Sequence, residues 1–103
     1  MTYASVLVAL ADPTRRTIFE SLRNQPQSVS GLAMGRTISR PAVSQHLKVL
    51  AGAGLVKSEA RGAANIYRAL PGGLRDLRDY LDAFWGDVLE AFAAEVALQQ
   101  ESK

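Results

Sequence analysis

The sequence predicts a mainly α-helical domain carrying one small β-hairpin, and three observations support that expectation. Residues 39–56, SRPAVSQHLKVLAGAGLV, read as a capped helix with a single apolar stripe. Residues 57–69, KSEARGAANIYRA, read as two short strand-like runs about a turn at Arg61 and Gly62. From residue 74 to about 98, apolar side chains recur at three-four spacing over a length that one small core cannot cover.

Each element follows from local chemistry. Residues 4–11, ASVLVALA, are too short to span a bilayer and have no Lys or Arg before them, so they are expected to form a first helix and not a signal-peptide core. Asp12 is an N-cap followed by Pro13 at the first helical position, and Ile18, Phe19 and Leu22 give the next helix its buried face to about Arg23. Pro26 breaks it. Ser28 or Ser30 caps a third helix whose Leu32 and Ala33 point inward. Gly31 and Gly35 each weaken that helix by about 1 kcal/mol where interior, so tertiary packing must hold it. Ser39 caps the fourth, Arg40 and Pro41 open its first turn, Val43, Leu47 and Leu50 recur at i, i+4, i+7, and Gly54 ends it. Leu55 and Val56 begin the hairpin, and Pro71-Gly72-Gly73 punctuates. The last helix carries Leu74, Leu77, Leu81, Phe84, Val88 and Phe92, with Tyr80, Trp85 and Leu89 widening the stripe. A homodimer is expected, with Leu74, Leu77, Leu81, Phe84, Trp85 and Val88 at its interface.

On the fourth helix, Pro41, Ser44, Gln45 and Lys48 fall opposite the apolar stripe, a face of donors, acceptors and one cation. Such side chains suit the major groove of double-stranded DNA, where each base pair shows its own donor and acceptor pattern. Gln45 can pair its amide with adenine. Arg40 can take guanine O6 and N7 or a phosphate, Ser44 a base edge or a phosphate, and Lys48 the backbone. His46 borders the Val43/Leu47 stripe, as a partly packed imidazole bonded to backbone or phosphate. Arg61 is expected at the minor groove or its flanking phosphates, with Arg68 supporting it from the strand. The net charge of +2 hides a split. Residues 36–68 hold Arg36, Arg40, Lys48, Lys57, Arg61 and Arg68 against Glu59, a local +5, whereas residues 69–103 reach −4, with seven acidic side chains against Arg75, Arg78 and Lys103. That places the positive field on the nucleic-acid side.

Other chemistries find little support. The chain has no cysteine, hence no disulfide framework or thiolate site, and an intracellular, cytoplasmic protein with no membrane partner is the simple expectation. A lone histidine cannot close a metal coordination sphere. Asp76, Asp79 and Asp82 read as a solvated helix face. Gly52-Ala53-Gly54 follows a helix and not a strand, so it is no nucleotide loop. Nothing pairs His46 with a nucleophile and an orienting acid, so no enzyme activity and no cofactor are expected.

Taken together, residues 28–69 resemble the winged helix-turn-helix of the ArsR/SmtB family of bacterial repressors. The opening LADPTRRTIFESL (Leu10 to Leu22) is similar to that family's first helix pair, and PAVSQHLKVL (Pro41 to Leu50) to its recognition helix. The resemblance implies one domain over residues 1–103, with the helix-turn-helix at about 28–51, the wing at about 55–69 and a dimerisation helix at about 74–98. It also implies a repressor that binds a pseudo-palindromic promoter site as a homodimer dimerising through its terminal helices. Two departures stand out. Ser28 and Ser30 occupy the region of the thiolates in metal-sensing members, Gly31 stands where an acidic residue is usual, and no histidine follows His46. Thr37 and Arg36 stand where the turn often has glycine and an apolar residue. The rival readings are a winged-helix module that binds protein without DNA, and a ligand-responsive member of the same family. No effector is legible.

Overall fold

The computed structural model describes residues 2–101. Its order is α1 (Tyr3–Ala11), α2 (Pro13–Asn24), α3 (Val29–Ala33), α4 (Arg40–Gly52), β1 (Val56–Arg61), β2 (Ala64–Ala69) and α5 (Arg75–Glu101). Helix starts are set by side chains that accept from otherwise unpaired N–H groups: Asp12 from Arg15, Ser28 from Gly31 and Ser39 from Ala42. Of the two serines considered for α3, Ser28 is the cap. Gly35 lies beyond α3, in a turn, so only Gly31 weakens that helix from within.

Asp12 ends α1 as well as starting α2, and the junction is tied by two arginines. The Arg15 guanidinium donates to the carbonyls of Ala9 (2.7 Å) and Val8 (3.2 Å), and that of Arg16 donates to Leu10 (3.1 Å). These cations satisfy the open carbonyls of the α1 C-terminus and sit at the negative end of its dipole. The core lies between α1, α2, α3, α4 and the base of the hairpin. Ile18, Val43, Leu47, Leu50 and Leu55 are wholly enclosed there.

The strands pair antiparallel from Val56 with Ala69 to Arg61 with Ala64. Gly62, at φ +59°, and Ala63 close the turn, a two-residue link with the left-handed residue first, which suits strand twist. Gln27 and Tyr67 exchange backbone hydrogen bonds at 3.0 and 2.8 Å, stitching the α2–α3 link to β2. α5 begins at Arg75 and extends past residue 98. At about 1.5 Å per residue it is about 40 Å long, which explains the 71 × 25 × 21 Å envelope. Among the described residues, no helix is long and apolar enough to cross a membrane.

Candidate nucleic-acid interface

The apolar stripe of α4 turns fully inward, with Val43, Leu47 and Leu50 at zero exposure. The opposite side is thereby forced outward: Arg40, Pro41, Ser44, Gln45 and Lys48 are all exposed, and none makes an intramolecular side-chain hydrogen bond or ion pair in the described structure. The Ser39 cap, with its Oγ 3.2 Å from the Ala42 N–H, fixes where this face begins. His46 stands apart from the other five. It is partly buried, and its charge helps to lower the pKa of Asp12 at the start of α2. The main cause of that lowering is the Arg15 backbone N–H donating to Asp12 Oδ2 at 2.8 Å.

The hairpin repeats this division with period two. Val56, Tyr67 and Ala69 lie on the side that packs on the core. Lys57, Glu59 and Arg61 alternate onto the other side, with Arg68 paired opposite Lys57. Arg61 is exposed at the end of β1, beside the turn. Arg68 is more constrained than the sequence suggested. Its Nε lies 3.2 Å from Glu59 Oε1, an ion-pair distance without hydrogen-bond alignment, so Glu59 offsets the charge that was expected to support Arg61. Lys57 was counted in the charge balance but not among the DNA-contacting residues; strand alternation places it on the same side as Arg61.

Arg36, also counted in the local +5, is turned inward. Its guanidinium donates to Leu32 O (2.6 Å), Thr17 Oγ1 (3.0 Å) and Ser21 Oγ (2.8 Å). The sequence marked this position only as a departure from an apolar pattern. The signal was the Thr17/Ser21 pair, one turn apart on α2, but nothing local says which cation faces it. Of the six cations, Arg40, Lys48, Lys57 and Arg61 therefore remain exposed without an intramolecular ion pair among the described residues.

The expected dimer residues divide. Leu74 and Leu77 are partly buried against the chain's own core. Leu81, Phe84, Trp85 and Val88 are exposed, Phe84 at 57% and Trp85 at 61%, and the apolar exposure continues through Leu89 and Phe92. Tyr80 stacks on Tyr3 of α1, centroids 4.1 Å apart, so α1 borders the same uncovered surface, with Leu7 exposed one turn on from Tyr3. Among the described residues no three His, Cys, Asp or Glu side chains gather as a metal site.

Comparison with known proteins bears on this arrangement directly. The family profile described as bacterial regulatory protein, arsR family, matches residues 12–58. The HTH-type transcriptional regulator Rv2034 of Mycobacterium tuberculosis is 49% identical over 85 residues, 82% of this chain and 79% of that protein. An ArsR-like transcriptional regulator from Rhodococcus sp. RHA1 superposes with a TM-score of 0.79 at 37% identity, over 89% of this chain and 87% of that one. The homodimeric winged helix-turn-helix DNA-binding domain of Mb0332 from Mycobacterium bovis superposes with a TM-score of 0.65 at 25% identity, over 85% and 82%.

Proposed function

The chain belongs to the ArsR family and is a DNA-binding transcriptional regulator, and from that premise we propose that it is a homodimeric repressor of a pseudo-palindromic promoter site. One observation carries the reading: the surface is divided between an outward polar side of α4 beside exposed cations, and a long apolar face on α5. The first suits DNA, the second a two-fold partner. Each α4 enters one major-groove half-site, where Gln45 reads a base edge, Arg40 and Ser44 meet bases or phosphates, and Pro41 allows close approach. Lys48 meets the backbone. Arg61, with Lys57 on the same strand side, reaches the minor groove or its phosphates, and His46 and Arg68 lie at the margin of the contact. Dimerisation uses the exposed apolar part of α5 from Leu81 through Val88, bordered by α1, while Leu74 and Leu77 anchor the helix to its own core. Bound DNA would be blocked to polymerase.

The test is a fluorescence-anisotropy titration on a duplex selected by the protein from a randomised pool, beside a scrambled duplex. Gln45→Ala is expected to lose about 1–3 kcal/mol on the selected duplex with little change on the scrambled one, whereas Lys48→Ala weakens both and flattens the salt slope by about one. Equal losses on both duplexes for Gln45→Ala would remove its base-reading role.

A further inference from the structure

One side chain ties the turn that delivers α4 to α2 by hydrogen bonds. Gly35, at φ +77°, reverses the chain after α3 in a conformation that L side chains rarely adopt. The next residue, Arg36, donates its backbone N–H to Ala33 O at 3.1 Å and then sends its guanidinium across to α2. There Nη1 donates to Thr17 Oγ1 and Nη2 to Ser21 Oγ and, at 3.5 Å, to Thr17 O, while Nε returns to Leu32 O of α3. Three elements thus meet at one planar group: α2, α3 and the turn. Only Thr37 and Ile38 separate it from the Ser39 cap, and Ile38 is partly buried against the core.

Resting on the DNA-binding reading above, we propose that Arg36 is a positioning residue for the recognition helix, fixing where the Arg40–Gln45 end of α4 stands relative to α2. The apolar packing of Val43, Leu47 and Leu50 gives α4 its stability, but apolar burial is non-directional and tolerates small slides and rotations. Four acceptors on a rigid fork do not. Lysine keeps the charge and loses the fork, because its ammonium is a point donor on a flexible stem. Base reading depends on where side chains stand to within a hydrogen bond, whereas phosphate attraction does not. Arg36 therefore governs discrimination between DNA sequences and leaves general affinity for DNA alone.

Arg36→Lys separates these. Expected is a fall of about tenfold in the ratio of selected-duplex to scrambled-duplex affinity, the low end of a lost bidentate base contact, with scrambled-duplex affinity and salt slope held within about twofold. Hydrogen exchange of the free protein supplies a readout that needs no DNA: the Met34 and Arg36 amides exchange several-fold faster, while those of Leu47 and Leu50 are unchanged. Should Arg36→Lys fail to fold, the double variant Thr17→Val, Ser21→Ala removes two acceptors with the arginine in place and is expected to behave alike. Unchanged exchange at Met34 and Arg36, or equal loss on both duplexes, would overturn the proposal. Should the parent protein select no sequence from the pool, base reading by this protein fails, and the exchange data alone decide the role of Arg36.

Discussion

α4 and α5 are both amphipathic helices with an apolar stripe at three-four spacing, yet the chain treats them oppositely. In α4 the stripe is consumed inside the domain, and the exposed remainder is mainly polar, with Val49 the one large aliphatic side chain of the helix left in solvent. In α5 no described side chain is fully buried: Leu77 and Val96 are partly so, and aromatic and aliphatic side chains stand in solvent along the helix. The two stripes look alike because periodicity reports that a face wants burial, not which surface buries it. α4 ends at the hairpin, whose base and Leu55 close over it. α5 leaves the core after Leu77, and its large apolar side chains from Leu81 to Phe92 stay exposed among the described residues. The proposed division of labour follows: the helix whose apolar side is covered exposes a polar side to DNA, and the helix whose apolar side is uncovered exposes it to a second copy.

The largest effect that sharpens this comparison comes from truncating one residue in each stripe. Leu47→Ala is expected to cost about 2–5 kcal/mol of fold stability at every protein concentration, because the cavity lies inside one chain. Phe84→Ala is expected to weaken dimerisation by about 2 kcal/mol or more, as for a central aromatic anchor, and to lower the melting temperature only where the parent is dimeric. Melts across a dilution series with sedimentation equilibrium check both. A Phe84→Ala loss that is independent of concentration would place this residue with the core and break the comparison.

A smaller effect is expected at the joint between the two regions. Leu70 N–H donates to Leu55 O at 2.9 Å, and the Pro71-Gly72-Gly73 turn that follows lies against the end of α4. A Cβ on Gly73 would meet Gly54 O at 2.7 Å and the Leu55 Cα at 3.1 Å, both backbone and neither free to swing away. Gly73→Ala should therefore cost about 1–3 kcal/mol by overpacking, read by denaturant unfolding, and Gly72→Ala, whose Cβ would meet only the Arg75 side chain at 3.9 Å, far less. Equal costs at the two positions would mean that the turn is not held against α4.

The smallest effect belongs to the α1–α2 junction. Chiefly the Arg15 N–H holds the Asp12 carboxyl below its ordinary pKa. A carboxyl lowered in the fold contributes stability that is present above its unfolded pKa and lost as pH falls through the folded value. Asp12→Asn keeps a capping oxygen without the charge, so its stability should fall less steeply than the parent's on acidification through the carboxylate range, with DNA selectivity unchanged at neutral pH. Parallel acid titrations of the two proteins would remove Asp12 from the pH dependence.

Much of the fold was legible because its signals are local. Asp12, Ser28 and Ser39 cap helices through bonds to residues three positions on, the 3.6-residue period marks Val43, Leu47 and Leu50, and glycine at 62 marks the hairpin turn. The outward face of α4 followed by subtraction, since a buried stripe leaves its complement exposed. The charge map was less secure. A count of cations treats Arg36, Arg61 and Arg68 as equals, but Arg36 is spent on α2 and Arg68 faces Glu59, while Arg61 remains unpaired among the described residues.

By itself, then, the sequence determined which segments are helical, to within a few residues where they begin and end, which sides are apolar, and a polar outward side at the start of α4, because backbone capping and side-chain period act over a few residues. Only the tertiary structure decided which partners those sides and charges meet. It placed Leu74 and Leu77 on the core and Leu81 to Val88 outside it, put the turn's left-handed residue at Gly35, two positions before the Thr37 that departs from the family pattern, and folded Arg36 back onto Thr17 and Ser21. Such choices depend on distances between residues far apart in the chain, which burial and hydrogen-bond geometry settle only once the helices have packed.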